Sequence, residues 1–111
     1  MLDINVDVIK GIMFIQLEGD LNESTIKNLE SELNYLLYKQ GMHFFVFNFN
    51  NIEHIEHTTI HHLQNKLIEI FLNCGKVAMC GLNDLYQKKL GMQERLHYVS
   101  NEREALDFLS I

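Results

Sequence analysis

The chain has no proline, no tryptophan and only two cysteines in 111 residues. Without proline, its turns and helix stops are marked by glycine and asparagine. Cys74 and Cys80 are too few and wrongly spaced for a zinc or CxxC redox motif, and they read as two free thiols bracketing a buried strand. No run of about 20 apolar residues occurs, so no membrane-spanning helix is expected. The opening MLDINVDVIK carries Asp3 and Asp7 and lacks the basic and apolar regions of a signal peptide, so the expected location is cytoplasmic. Basic residues are also in short supply: nine Lys and Arg stand against fifteen Asp and Glu, a net charge of −6. Only Lys88 and Lys89 are adjacent, which argues against nucleic acid or an anionic membrane surface as partner. A catalytic set is missing as well. No Ser/His/Asp arrangement, Gly-rich phosphate loop or paired-carboxylate pocket can be assembled from local motifs, so the chain reads as a non-enzyme without a cofactor.

What is present is a core. Hydrophobic residues make up 47% of the sequence, too many for a disordered segment, and 111 residues form one domain over 1–111. Leu2 to Ile9 alternates as an edge strand, Lys10-Gly11 is a turn, and Ile12 to Leu17 returns to close a hairpin. Gly19-Asp20-Leu21-Asn22 ends that strand, and Asn22 is placed to cap a first helix with Glu23 in its first turn. Ile26, Leu29, Leu33, Leu36 and Leu37 share one face of that helix, which stops at Lys39 and Gly41. Further on, Lys76 to Cys80 reads as a buried strand, Asn83 caps a short helix over Asp84–Leu90, and His97 to Val99 is a last strand. Ser100 or Asn101 then caps a final helix carrying Ala105, Leu106, Phe108 and Leu109. The order β-β-α-β-α-β-α-β-α predicts an α/β domain: a mainly parallel central sheet with an N-terminal β-hairpin and about four helices.

The stretch Phe44 to Leu63, FFVFNFNNIEHIEHTTIHHL, organises the rest. Phe44 to Phe49 is nearly apolar, as a central strand covered on both faces would be. Asn48 interrupts it, and its amide is expected to tie down the loop after the strand. A polar elbow is expected over Asn50 to Glu56, with Ile52 and Ile55 tucked inward, and a helix from His57 through Leu72. A strand feeding a helix this way puts the elbow at the carboxyl end of the sheet, where open α/β folds place their working sites. The helix start adds free backbone N–H groups and the positive end of a dipole. Glu56, His57, Thr58 and Thr59 are therefore the expected functional tip.

Gly19-Asp20-Leu21-Asn22, Phe47-Asn48-Phe49 and Ile55-Glu56-His57-Thr58-Thr59-Ile60, in this element order, resemble the STAS domain of bacterial anti-sigma factor antagonists over essentially the whole chain. The first segment is similar to the family's G-x-L-D, with Asn22 in place of the Asp. The last stands where the family has D-S-S-G-L after an apolar residue. In that family the first Ser of the motif is phosphorylated by a partner that is both anti-sigma factor and serine kinase, and the added charge blocks docking. Here that position is His57, Thr58 takes the second Ser position, Thr59 replaces the Gly and Glu56 the Asp. The resemblance thus implies a STAS-like fold and a protein-docking role in transcription control, without the usual serine switch.

On this reading the partner-binding residues are Asn22, Asn50, Asn51, Glu53, Glu56, His57, Thr58, Thr59, His61 and His62. The partner implied is an anti-sigma factor/serine kinase or another signalling protein; a homodimer is compatible with it. Thr58 is a candidate phosphosite, against the plainer reading that its hydroxyl caps the second helix. His57 and His61, four apart on one helical face, could ligate a metal with Glu53, His54 or Glu56, although the HExxH pattern is missing and a solvated, partner-facing patch accounts for the same residues. Imidazoles titrate near neutrality, but a helix N-terminus disfavours a cation at His57. Two other assemblies remain open: a STAS-type regulatory subunit of a membrane lipid transporter bound to its ATP-binding cassette ATPase, and a metal-binding protein using the His-rich segment.

Overall fold

Alternation of apolar and polar residues along the first strand, paired with a second whose opening residues are apolar on both faces, builds one edge of the sheet. The computed structural model describes residues 1–91 and 95–109. Over these residues the chain runs β1 (Leu2–Ile9), β2 (Ile12–Leu21), α1 (Ile26–Asn34), β3 (Phe44–Ile55), α2 (His57–Leu72), β4 (Lys76–Cys80), α3 (Asp84–Leu90), β5 (Leu96–Tyr98) and α4 (Glu102–Leu109). A π-helical turn, Tyr35–Lys39, extends α1. It brings the consecutive Leu36 and Leu37 into the core together. The sheet order is β1-β2-β3-β4-β5, with β1 antiparallel to β2 and every other pair parallel. The hairpin closes from Ile9 to Ile12 through Lys10 (φ 52) and Gly11 (φ 78). Two consecutive residues at positive φ match the right-handed strand twist of a two-residue hairpin loop.

The strand period of two divides the core in half. On one face Met13, Ile15, Leu17, Phe45, Phe47, Phe49, Val77 and Met79 pack against Leu29 and Leu33 of α1, Leu63, Leu67 and Ile70 of α2, and Leu90 of α3. On the other, Ile12, Phe14, Val46 and Ala78 meet Ala105 and Leu109 of α4. β3 sits in the middle and is buried on both sides, which is why Phe44 to Phe49 is almost unbroken apolar sequence.

Two boundaries differ from the sequence expectation. β2 continues past Leu17 to Leu21, and β3 continues past Phe49 to Ile55, so the elbow over Asn50 to Glu56 is strand except for Glu56. The cause is mutual pairing. Glu18↔Asn51, Gly19↔Ile52, Asp20↔His54 and Leu21↔Ile55 extend the ladder, with register shifts that absorb the irregular polar sequence. β4 ends at Cys80, opposite Asn48, so β3 projects beyond it. Ile52 and Ile55 are half-buried against the core, as expected.

The tip at the carboxyl end of the sheet and its relatives

β3 ends at Ile55, Glu56 turns the chain, and α2 begins at His57. Glu56 has extended backbone (φ −73, ψ 141) and occupies the cap position, though its side chain makes no cap bond within α2. Its backbone N–H donates to the Leu21 carbonyl at 2.9 Å, which ties the helix start to the end of β2. Its carboxylate is used across the gap instead: Oε1 accepts the backbone N–H of Glu23 at 3.0 Å. One glutamate therefore holds two chain segments side by side.

The second segment is the turn that precedes α1. Asn22 does not cap α1 itself, because that helix starts only at Ile26. Asn22 Oδ1 instead accepts the backbone N–H groups of Ser24 and Thr25, both at 3.0 Å, and the Ser24 hydroxyl at 2.7 Å. Thr25 Oγ1 donates to the Asp20 carbonyl at 2.8 Å and accepts from the Asn22 N–H at 2.9 Å. An Asx-type turn is thus stitched to the end of β2, and Glu23 stands in it rather than in the helix.

His57 and Thr58 are both exposed in the first turn of α2. His57 Nδ1 lies against Lys89 Nζ of α3, and its ring is 6.4 Å from that of Tyr86. Tyr86 donates its hydroxyl to the Ile55 carbonyl at 3.2 Å. Thr58 is inside the helix and not at its cap, so the capping role read from the sequence falls to no hydroxyl at that position. Thr59 corrects the expected docking set. It is 1% exposed, and its hydroxyl donates to the Glu56 carbonyl at 2.6 Å. A threonine at the third helical position turns inward here, so its side chain cannot face a partner.

The histidines are spread over several partners. His61 is exposed. His62 stands between two carboxylates, with ring nitrogens 3.5 Å from Glu23 Oε2 and 3.5 Å from Glu30 Oε2. Among the described residues no group of three or more His, Cys, Asp or Glu is disposed to hold a metal ion, so the set of His57 and His61 with Glu53, His54 or Glu56 does not converge. Asn50, Asn51 and Glu53 lie on the projecting part of β3, where they line a shallow cavity of about 400 Å³ with Glu18 and Ile52. The structure therefore brings Asn22, Glu23, Glu56, His57, Thr58 and His62 to one end and sets the asparagines of β3 in a patch of their own.

Asn48 anchors that projection. Its Oδ1 accepts the Asn50 N–H at 2.9 Å, as expected of an amide tying down the segment after it. Its Nδ2 donates to Glu102 Oε2 at 3.0 Å, and Gln16 Nε2 donates to the same oxygen at 3.0 Å. Gln16, Asn48 and Cys80 are register neighbours across β2, β3 and β4. Burial and then the Glu102 charge push the Cys80 thiol up to about 11, so it is protonated and inert at neutral pH. Sequence reading missed Glu102, Gln16 and Lys89; all three act across 32 or more residues, and no local pattern marks them.

The described residues thus form a five-stranded sheet with three helices on one face and one on the other, and the strand-to-helix tip is exposed at one end of it. The model of the STAS domain matches residues 3–105, and the chain belongs to that family. Solved structures agree on the fold. The anti-sigma factor antagonist SpoIIAA in its unphosphorylated form superposes with a TM-score of 0.80 at 14% identity, covering 97% of this chain and 98% of that one. The Bacillus cell fate determinant SpoIIAA in its phosphorylated form gives 0.78 at 14%, covering 96% and 99%. An anti-sigma factor antagonist from Mycobacterium paratuberculosis gives 0.84 at 11%, covering 100% and 96%. Among curated protein sequences none matches the chain.

Proposed function

We propose that this protein is an anti-sigma factor antagonist-like docking module whose partner reads the tip formed by the Asn22 turn, Glu56, His57 and Thr58. The observation that carries the proposal is the bond from the Glu23 N–H to Glu56 Oε1, which locks the turn and the start of α2 into one surface. A prearranged surface loses little conformational entropy on association, as a protein-binding site requires. His61 and His62 extend this surface along α2, and Asn50, Asn51 and Glu53 offer the partner a second patch on the projecting part of β3. The partner is an anti-sigma factor with serine kinase activity, or another signalling protein of the bacterial cytoplasm.

Regulation is by amount or by binding. His57 carries no hydroxyl for a serine kinase to modify, and the position is further occupied by the Lys89 contact. Thr58 is the one exposed hydroxyl in the first turn of α2 and is the residue to monitor for phosphate. Affinity purification from the native cell, read by mass spectrometry, tests the proposal. Recovery of an anti-sigma factor kinase supports it. Recovery of an ATP-binding cassette ATPase assigns the module to a lipid transporter instead.

A further inference from the structure

The end of the sheet opposite the tip holds a cavity of about 300 Å³ beneath the first residues of β4 and β5, lined by Phe71, Gly75, Lys76, Arg95, His97 and Phe108. Its walls come from both layers. Phe71 belongs to α2 and Phe108 to α4, and both rings are half-buried. The His97 ring lies tilted on Phe108 with centroids 3.9 Å apart. The Arg95 guanidinium is 6.0 Å from the centre of Phe71, within cation–π range. Gly75 is pressed so closely on the Ile70 side chain and the His43 carbonyl that a Cβ there would sit 2.4 Å and 2.8 Å from them, and this fixes the backbone from which Lys76 projects.

The charge of this cavity runs against that of the molecule. The chain carries a net charge of −6, yet two of its nine Lys and Arg meet here beside an imidazole. Among the described residues, neither Lys76 nor Arg95 has a carboxylate within ion-pair distance. Two cations at the mouth of a pocket walled by two phenyl rings select a ligand with one anionic end and one flat apolar end. The volume suits a single ring with its head group. We propose that this cavity binds a small aromatic anion of the aryl carboxylate or aryl phosphate class. Lys76 and Arg95 hold the anionic group, and Phe71 and Phe108 flank the ring. The site lies at the other end of the strands from the docking tip and does not depend on the identity of the partner there.

Amide NMR titrations of the intact protein test this with four probes: phenyl phosphate, benzoate, inorganic phosphate (charge without ring) and benzyl alcohol (ring without charge). We expect at least one of the first two to saturate at about millimolar concentration or below, which is what so small a ligand can reach. The shifts centre on Gly75, Lys76, Arg95 and His97 and leave the first turn of α2 unmoved. Which of the two probes binds tighter assigns the head group. Lys76→Gln and Arg95→Gln, both at exposed positions, each weaken that binding about tenfold. The proposal is overturned if neither aryl anion saturates at ten times that concentration. It is overturned equally if benzyl alcohol or inorganic phosphate binds as well as they do, or if the doubly substituted protein binds unchanged.

Discussion

Replacing Glu102 with alanine removes an acceptor that joins α4 to the middle of the sheet. Oε2 of Glu102 receives Gln16 Nε2 and Asn48 Nδ2, each at 3.0 Å. A hydrogen bond to a charged group contributes about 1.5–3 kcal/mol. Glu102 is only half-buried, so water replaces part of what is lost, and the low end applies to both bonds. Together they amount to about 3 kcal/mol. Loss of a carboxylate from the first turn of α4 adds a few tenths through the helix dipole. For a chain of this size the sum corresponds to a fall in melting temperature of about 10 °C. Urea unfolding at neutral pH should show the midpoint drop with an unchanged slope. Glu102→Gln keeps the shape and one acceptor oxygen, and should cost about half as much. The thiol of Cys80 should stay protonated in both variants, because burial is the larger cause of its raised value and the Glu102 charge the smaller. An alanine variant within about 0.5 kcal/mol of the parent, the range of an ordinary surface change, would refute the tether.

Other substitutions separate structure from docking. Thr59→Val keeps the volume and leaves the Glu56 carbonyl without its 2.6 Å donor; it should destabilise by about 1 kcal/mol in urea titration and leave partner affinity within twofold. Glu56→Ala should do the reverse: stability falls by less than about 1 kcal/mol while partner affinity drops, because the exposed turn over Glu23 is released from α2. Alkali should weaken the fold in a defined window. Burial holds the Cys80 thiol at about 11 against an ordinary 9.0, and the Tyr98 hydroxyl at about 12 against 10.0. The unfolded chain therefore loses these protons first, so their contribution is complete below pH 9 and is lost as pH climbs towards 12. Tyr98→Phe and Cys80→Ala should flatten the fall in melting temperature across that range, and an unchanged slope would contradict the assignment.

Much of the fold is legible in the sequence because its signals are local. The Phe44–Phe49 run, the Asn83 cap with its bond to the Tyr86 N–H, and the Leu and Ile spacing of α2 each fix an element without help from elsewhere. The projecting part of β3 is not legible in this way. Asn50, Asn51, Glu53 and His54 carry the composition of a loop, and they are extended only because β2 continues alongside them to Leu21. The tip is half legible. Its position after Ile55 follows from the strand-to-helix pattern, but which hydroxyl faces out depends on helix phase, which turns Thr59 inward and leaves Thr58 exposed. The Glu23–Glu56, His57–Lys89 and Asn48–Glu102 contacts join residues 32 to 54 apart and are set by tertiary packing alone.

The docking face is tested most directly by the affinity of the natural partner for the His57→Asp, Thr58→Asp double variant. Both positions are exposed, so the fold should survive and urea unfolding should confirm that it does. Two carboxylates that must be desolvated at the interface should cost about 2 kcal/mol or more, a rise of roughly thirtyfold in Kd. A folded double variant that binds its partner as tightly as the parent would place the docking surface elsewhere on the molecule.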